Sequence, residues 1–136
     1  MELNYDHFCF GCGEKNPKGL KLKFRQEGDI VRTTFVPDET HQGYPGIIHG
    51  GITSTIFDEV MSTCINMLGE FAVTARLEVR FKNKIHIKKP IEFEAKIVKR
   101  KGRVIDVEAR AFLEGGKTAA EAKGRFIIIK EEDVLN

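Results

Sequence analysis

The segment 52–68 constrains the fold most. Its apolar residues are Ile52, Ile56, Phe57, Val60, Met61, Cys64, Ile65, Met67 and Leu68. Their spacing is helical, and on a wheel they spread around most of the circumference. This predicts one helix of about five turns, closed by Gly69 as a C-terminal cap. A helix that is apolar nearly all round must be buried. The chain has 136 residues, the size of one domain, so the same chain has to supply the cover. Apolar residues at 41% and charged residues at 31% are enough for a real core and unlike a disordered composition.

The cover is legible as strands. Residues 20–26 alternate Leu20, Leu22 and Phe24 with Lys21, Lys23 and Arg25, the period of a half-buried strand. A turn at Glu27-Gly28-Asp29 leads into a second strand over 30–36, making a hairpin. Residues 1–19 form an N-terminal loop segment, and 37–48 form a loop containing Pro37, Gly43, Pro45 and Gly46. After the helix, Leu77, Val79 and Phe81 alternate with Glu78, Arg80 and Lys82. Ile91, Phe93, Ala95, Ile97 and Lys99 form one face of the next strand. Val104–Leu113 and Thr118–Ile129 follow across tight turns. Long strands with short turns describe an antiparallel meander. Two strands, a helix and four strands give an α+β domain. Its antiparallel sheet of about six strands wraps around one long central helix, the hotdog arrangement.

The formal net charge of +2 does not suggest a nucleic-acid partner. The short polar opening has no apolar region of a secretory signal, and no apolar run is long enough to cross a bilayer. The expectation is a cytoplasmic protein without a membrane partner. Cys9, Cys12 and Cys64 are an odd set for a disulfide framework. Cys9 and Cys12 form a CxxC near His7, half of a usual structural zinc site with no second CxxC in the sequence. It reads as a structural element of the N-terminal loop, with redox or metal chemistry as the lesser alternative. No metal and no cofactor are assigned.

Two adjacent acids, Asp58 and Glu59, interrupt the apolar helix. A buried carboxylate is costly without a partner or a purpose. Adjacent helical positions face about 100° apart, so the two acids occupy different environments. Just before the helix stands His49-Gly50-Gly51. The first amides of a helix lack internal partners and carry partial positive charge. Glycines let a substrate approach that bare backbone, which is how an oxyanion hole is made. Alone, HGG is also an ordinary flexible turn. Asp58, nine residues after His49, is roughly two turns into the helix and is better placed to reach a partner's helix start than its own.

The run GYPGIIHGGITSTIFDEVM resembles the signature of the PaaI-type branch of hotdog thioesterases, and CFGCGEKNPKGLKL resembles the opening segment of many members of that superfamily. The resemblance covers nearly the whole chain in element order. It implies hydrolysis of an acyl-CoA thioester at sites shared across a homodimer, often within a tetramer. It implies that the Gly50 amide polarises the thioester carbonyl and that Asp58 acts from the opposing subunit as general base or nucleophile. Glu59 is the second acid candidate, and His49 and Gly51 shape the turn. Thr74 is the nearest hydroxyl for positioning water. Relatives commonly carry Asn six residues before the motif histidine, where this chain has Gly43, with Gln42 and His41 beside it. Gln42 is the candidate replacement.

Between Arg76 and Arg103 there are 11 Lys and Arg against 3 Glu, a balance of 11 − 3 = +8. Lys89, Arg100 and Lys101 lie near turns and are candidates for coenzyme A phosphates. The plainer reading is a solvated strand face. Phe57, Met61 and Phe81 are candidates for an acyl pocket. Two other activities fit the same outline: a hydratase or dehydratase of enoyl thioesters, and a non-catalytic acyl-CoA-binding module.

Overall fold

A computed structural model describes residues 6–134. The polar opening 1–5, and residues 135 and 136, lie outside the described residues. The strands are β1 (Arg25–Glu27), β2 (Ile30–Phe35), β3 (Phe71–Phe81), β4 (Ile91–Lys101), β5 (Val104–Leu113) and β6 (Thr118–Ile129). They form one six-stranded antiparallel sheet in the order β1-β2-β4-β5-β6-β3. The long helix α1 (Gly50–Asn66) packs across one face, and a short helix α2 (Glu131–Val134) follows β6. This is the hotdog arrangement.

The meander holds only for β4, β5 and β6. The strand after the helix, β3, pairs with β6 rather than with β4, and β4 pairs with β2. The segment 82–90 therefore crosses over instead of forming a hairpin. Alternation reveals which face a strand buries but not its neighbour.

The helix is buried along a stripe and not all round. Thr53, Ile56, Phe57, Val60, Met61, Cys64 and Ile65 face the sheet, following the i, i+3, i+4, i+7 rule. The other positions between Ile52 and Thr63 are half-buried. Beneath the stripe the sheet presents small residues in register: Ala95 opposite Ala109, Ala109 opposite Ala122, and Ala111 opposite Ala120. Small side chains let the helix approach closely. At Gly124 an added Cβ would lie 2.6 Å from Met61 Sδ and 2.7 Å from Phe126 Cε1. Phe57 meets Phe93 edge-on, with ring centroids 5.1 Å apart.

Three boundaries differ from the sequence expectation. Helix α1 starts at Gly50 and ends at Asn66, with Met67 as the cap and the left-handed turn at Gly69, φ +81°. The first strand covers only 25–27. Leu20 and Leu22 are buried, but their amides bond to the carbonyls of Phe10 and Gly11 in the N-terminal loop, and Lys21 has φ +55°. The loop over 37–48 holds a 3-10 turn, Glu39–His41, capped by Asp38, and bridges from Gln42 to Ile48 and from Ile47 to His86.

Candidate active site

His49 is the N-cap of α1. Its Nδ1 accepts a hydrogen bond from the Gly51 amide at 2.8 Å, and its carbonyl accepts from the Ile52 and Thr53 amides at 3.0 and 3.3 Å. Its own amide donates to the His41 carbonyl at 2.8 Å. The imidazole Nδ1 is thus engaged in shaping the turn. Gly50 is the first helical residue. Among the described residues no acceptor meets its N–H, which belongs to the outward-pointing first turn of the helix. Phe81, 55% exposed at the end of β3, covers Gly50: a Cβ there would lie 3.5 Å from the ring.

The segment 42–48 folds back on this turn. Gln42 Oε1 accepts from the Gly46 amide at 3.0 Å, so that amide group closes its own loop. Gly43 backs onto His49, and a Cβ at 43 would lie 3.4 Å from the His49 Cα.

The two adjacent acids diverge as their 100° offset requires. Asp58 faces β3, where the Thr74 hydroxyl donates to its Oδ1 at 2.6 Å. Thr74 sits opposite Phe126 on the helix-facing side, and the register slips between Thr74 and Arg76. The extra residue of such a bulge re-aims neighbouring side chains. Glu59 faces the other way, toward the N-terminal loop. Cys9 Sγ donates to its Oε1 at 3.2 Å, and Cys12 also bonds to the carboxylate. Burial raises the Glu59 pKa, partly offset by the Cys9 bond; the nearby Asp58 charge raises it further, and the Cys12 bond lowers it. Cys9, Cys12 and Glu59 offer three ligand atoms within 4.8 Å of one another. No sequence pattern links a CxxC to an acid 47 residues later (59 − 12).

The basic candidates separate. Lys89 follows Lys88, whose amide donates to the Pro37 carbonyl, beside the loop that carries His49. Arg100 lies at the far end of β4, in a two-pronged pair with Glu70 at 2.6 and 2.9 Å just beyond the helix C-terminus. Lys101 is its neighbour, opposite Val104. The helix runs about 25 Å from Gly50 to that end. Several of the other cations between 76 and 103 pair with acids: Arg76 with Glu78, Lys82 with Glu121, Lys88 with Glu39 and Lys96 with Asp29. They form a salt-bridged, solvated surface. Of the acyl-pocket candidates, Phe57 and Met61 are fully buried core and only Phe81 is accessible.

Residues 45–120, more than half of the chain, match the thioesterase superfamily. The chain belongs to that superfamily. It is 29% identical over 126 residues to the acyl-coenzyme A thioesterase THEM4 of Bos taurus, covering 90% of this chain. The chain spans about half the length of the curated relatives it matches, 52% and 41%. Among solved structures it is similar to the thioesterase superfamily protein RHA08564, with TM-score 0.84 and 23% identity over 89% of this chain and 60% of that one. A hypothetical thioesterase of Streptococcus pneumoniae, solved with coenzyme A, superposes with TM-score 0.75 and 16% identity over 79% of this chain and 85% of that one. That protein was also solved with an aspartate and a threonine each replaced by alanine, the two spaced along its chain as Asp58 and Thr74 are here.

Proposed function

We propose that this thioesterase-superfamily chain hydrolyses an acyl-CoA thioester, with Asp58 as general base or nucleophile, Thr74 holding it, and the Gly50 amide of a second copy as oxyanion donor. The Thr74–Asp58 hydrogen bond carries this reading. It fixes one carboxylate oxygen and leaves Oδ2 for water or for the thioester carbon. Thioester hydrolysis needs such a group together with a donor at the developing oxyanion. The CoA-bound relative and the aspartate and threonine replacements made in it support the same substrate class and the same pair.

Helix geometry supports the second copy. Gly50 and Asp58 are eight residues apart, about 12 Å along the axis. A thioester carbonyl needs its oxyanion donor about 3 Å away and its base within reach of the same carbon. One protomer does not bring both to one carbonyl. The edge strand β3 offers the surface for a twofold contact: it is paired only with β6 and exposes Val73 and Phe81 at 49% and 55%. Long open strand edges invite pairing. An isologous contact there would face the Asp58 of one copy toward the Gly50 of the other.

Thiol release from aliphatic and aryl acyl-CoAs tests the activity. Complementation tests the sharing. Gly50→Pro deletes one N–H at the first helical position, where proline is tolerated, and His49 already has the extended backbone that precedes proline, φ −68° and ψ 132°. Gly50→Pro and Asp58→Asn are each expected to be inactive. Their mixed dimers contain one intact shared site, so co-expression should restore about a quarter of wild-type turnover under random pairing. No restoration would contradict the shared site. Activity kept in Asp58→Asn but lost in Glu59→Gln would move the base to Glu59. Hydration of an enoyl-CoA without thiol release would replace hydrolysis with the hydratase reading.

A further inference from the structure

The N-terminal loop carries a cluster that lies outside the Asp58–Thr74 pair. Cys9 and Cys12 lie on one turn, closed by the Gly13 amide donating to the Cys9 carbonyl at 2.8 Å. The carbonyls of the intervening Phe10 and Gly11 accept from the Leu20 and Leu22 amides at 2.8 and 2.9 Å, so the turn is braced on both sides. Two glycines make this geometry possible. A Cβ on Gly13 would sit 2.4 Å from the Cys9 nitrogen, so no side chain fits there. A Cβ on Gly11 would sit 2.2 Å from the carboxyl carbon of Glu59. The missing side chain at 11 is what lets Glu59 reach across from α1 to the two thiols.

All three residues are half-buried, and their ligand atoms lie within 4.8 Å of one another. Sulfurs on a tetrahedral zinc are about 3.8 Å apart, given Zn–S bonds of about 2.3 Å. A small contraction of the cluster therefore meets a metal's requirement. We propose that Cys9, Cys12 and Glu59 form a binding site for a thiophilic divalent ion of the zinc class, with the fourth position open to water or an exogenous ligand. Two thiolates select a soft or borderline ion over magnesium or calcium, and a single carboxylate is compatible with zinc. Binding exchanges the two thiol protons for the ion. The charge acting on Glu59 from Asp58 has the same sign, and a bound cation would offset it. The ion would bolt the N-terminal loop to α1 at the residue next to Asp58.

The test uses the full chain, reduced with a phosphine, and Co2+ alone as the probe. One equivalent of Co2+ per chain should bind with thiolate-to-metal charge transfer in the near ultraviolet, and Zn2+ should bleach it. Cys64→Ser should leave the spectrum unchanged, because Cys64 is buried on the sheet-facing stripe of α1. The double variant Cys9→Ser, Cys12→Ser should abolish the band. Glu59→Gln should weaken Co2+ binding by about tenfold or more, at least the loss typical of an outer-shell partner. No charge-transfer band in the wild-type chain would overturn the proposal without reference to any variant. A band that survives loss of both cysteines would overturn it as well. Unchanged affinity in Glu59→Gln would remove the carboxylate from the site and with it the three-ligand proposal.

Discussion

The Thr74 hydroxyl donates to Asp58 Oδ1 at 2.6 Å, joining the edge strand β3 to the middle of the central helix. The bond sets the direction of the one acid that faces away from the N-terminal loop. Asp58→Asn keeps volume and removes the charge. It is expected to keep the melting temperature near wild type and to lower kcat by about 100-fold to 10,000-fold, the range for a lost general base. Thr74→Ala should cost less, and Thr74→Ser should recover most of the loss. A Thr74→Ser variant no better than Thr74→Ala would mean that the hydroxyl is not what matters at 74. Acyl-CoA thiol release and circular dichroism on the same samples read both quantities.

The helix start makes a second prediction. A Cβ at Gly51 would lie 3.0 Å from His49 Nδ1 and 3.1 Å from its Cε1. The ring must give by a few tenths of an ångström, which stretches its bond to the Gly51 amide. Gly51→Ala is expected to lose up to about 1 kcal/mol, part of the value of an N-cap, and to lower turnover by displacing the neighbouring Gly50. Thermal melts and kinetics check this, and a variant as stable as wild type would show that the cap carries little.

Thr53 is buried on the sheet-facing stripe of α1, and its hydroxyl meets no hydrogen-bond partner among the described residues. An orphan buried polar atom costs about 1–3 kcal/mol. Valine has the same shape and the same branched Cβ. Thr53→Val should raise the denaturant midpoint without changing the slope. A lowered midpoint would mean that the hydroxyl is satisfied in solution.

Glu59 gives the pH dependence. Burial raises its pKa above the ordinary 4.5. In metal-free protein the folded state then holds this proton more tightly than the unfolded state. The resulting stabilisation is complete below about pH 4.5 and is lost as pH climbs through the raised value. Glutamine at 59 is neutral throughout and lacks that loss. The melting temperature of Glu59→Gln minus that of wild type should therefore increase from about pH 4 to about pH 7 with a chelator present. A constant difference would show that Glu59 titrates alike in both states.

What could be read from the chain was local. One long helix within 52–68, the alternating faces of β4, β5 and β6, and the glycines after His49 all follow from spacing within one element. So does the divergence of Asp58 and Glu59, because it is fixed by 100° per residue. Only the tertiary structure decided what each acid meets. Asp58 meets Thr74 because β3 pairs with β6 at the sheet edge and slips register after Thr74. Glu59 meets Cys9 and Cys12 because the N-terminal loop folds over α1 at Gly11. Arg100 was drawn away to Glu70 at the other end of the helix. These are long-range pairings. Periodicity tells a strand which side to bury, and the choice of neighbour depends on the packing of the whole sheet.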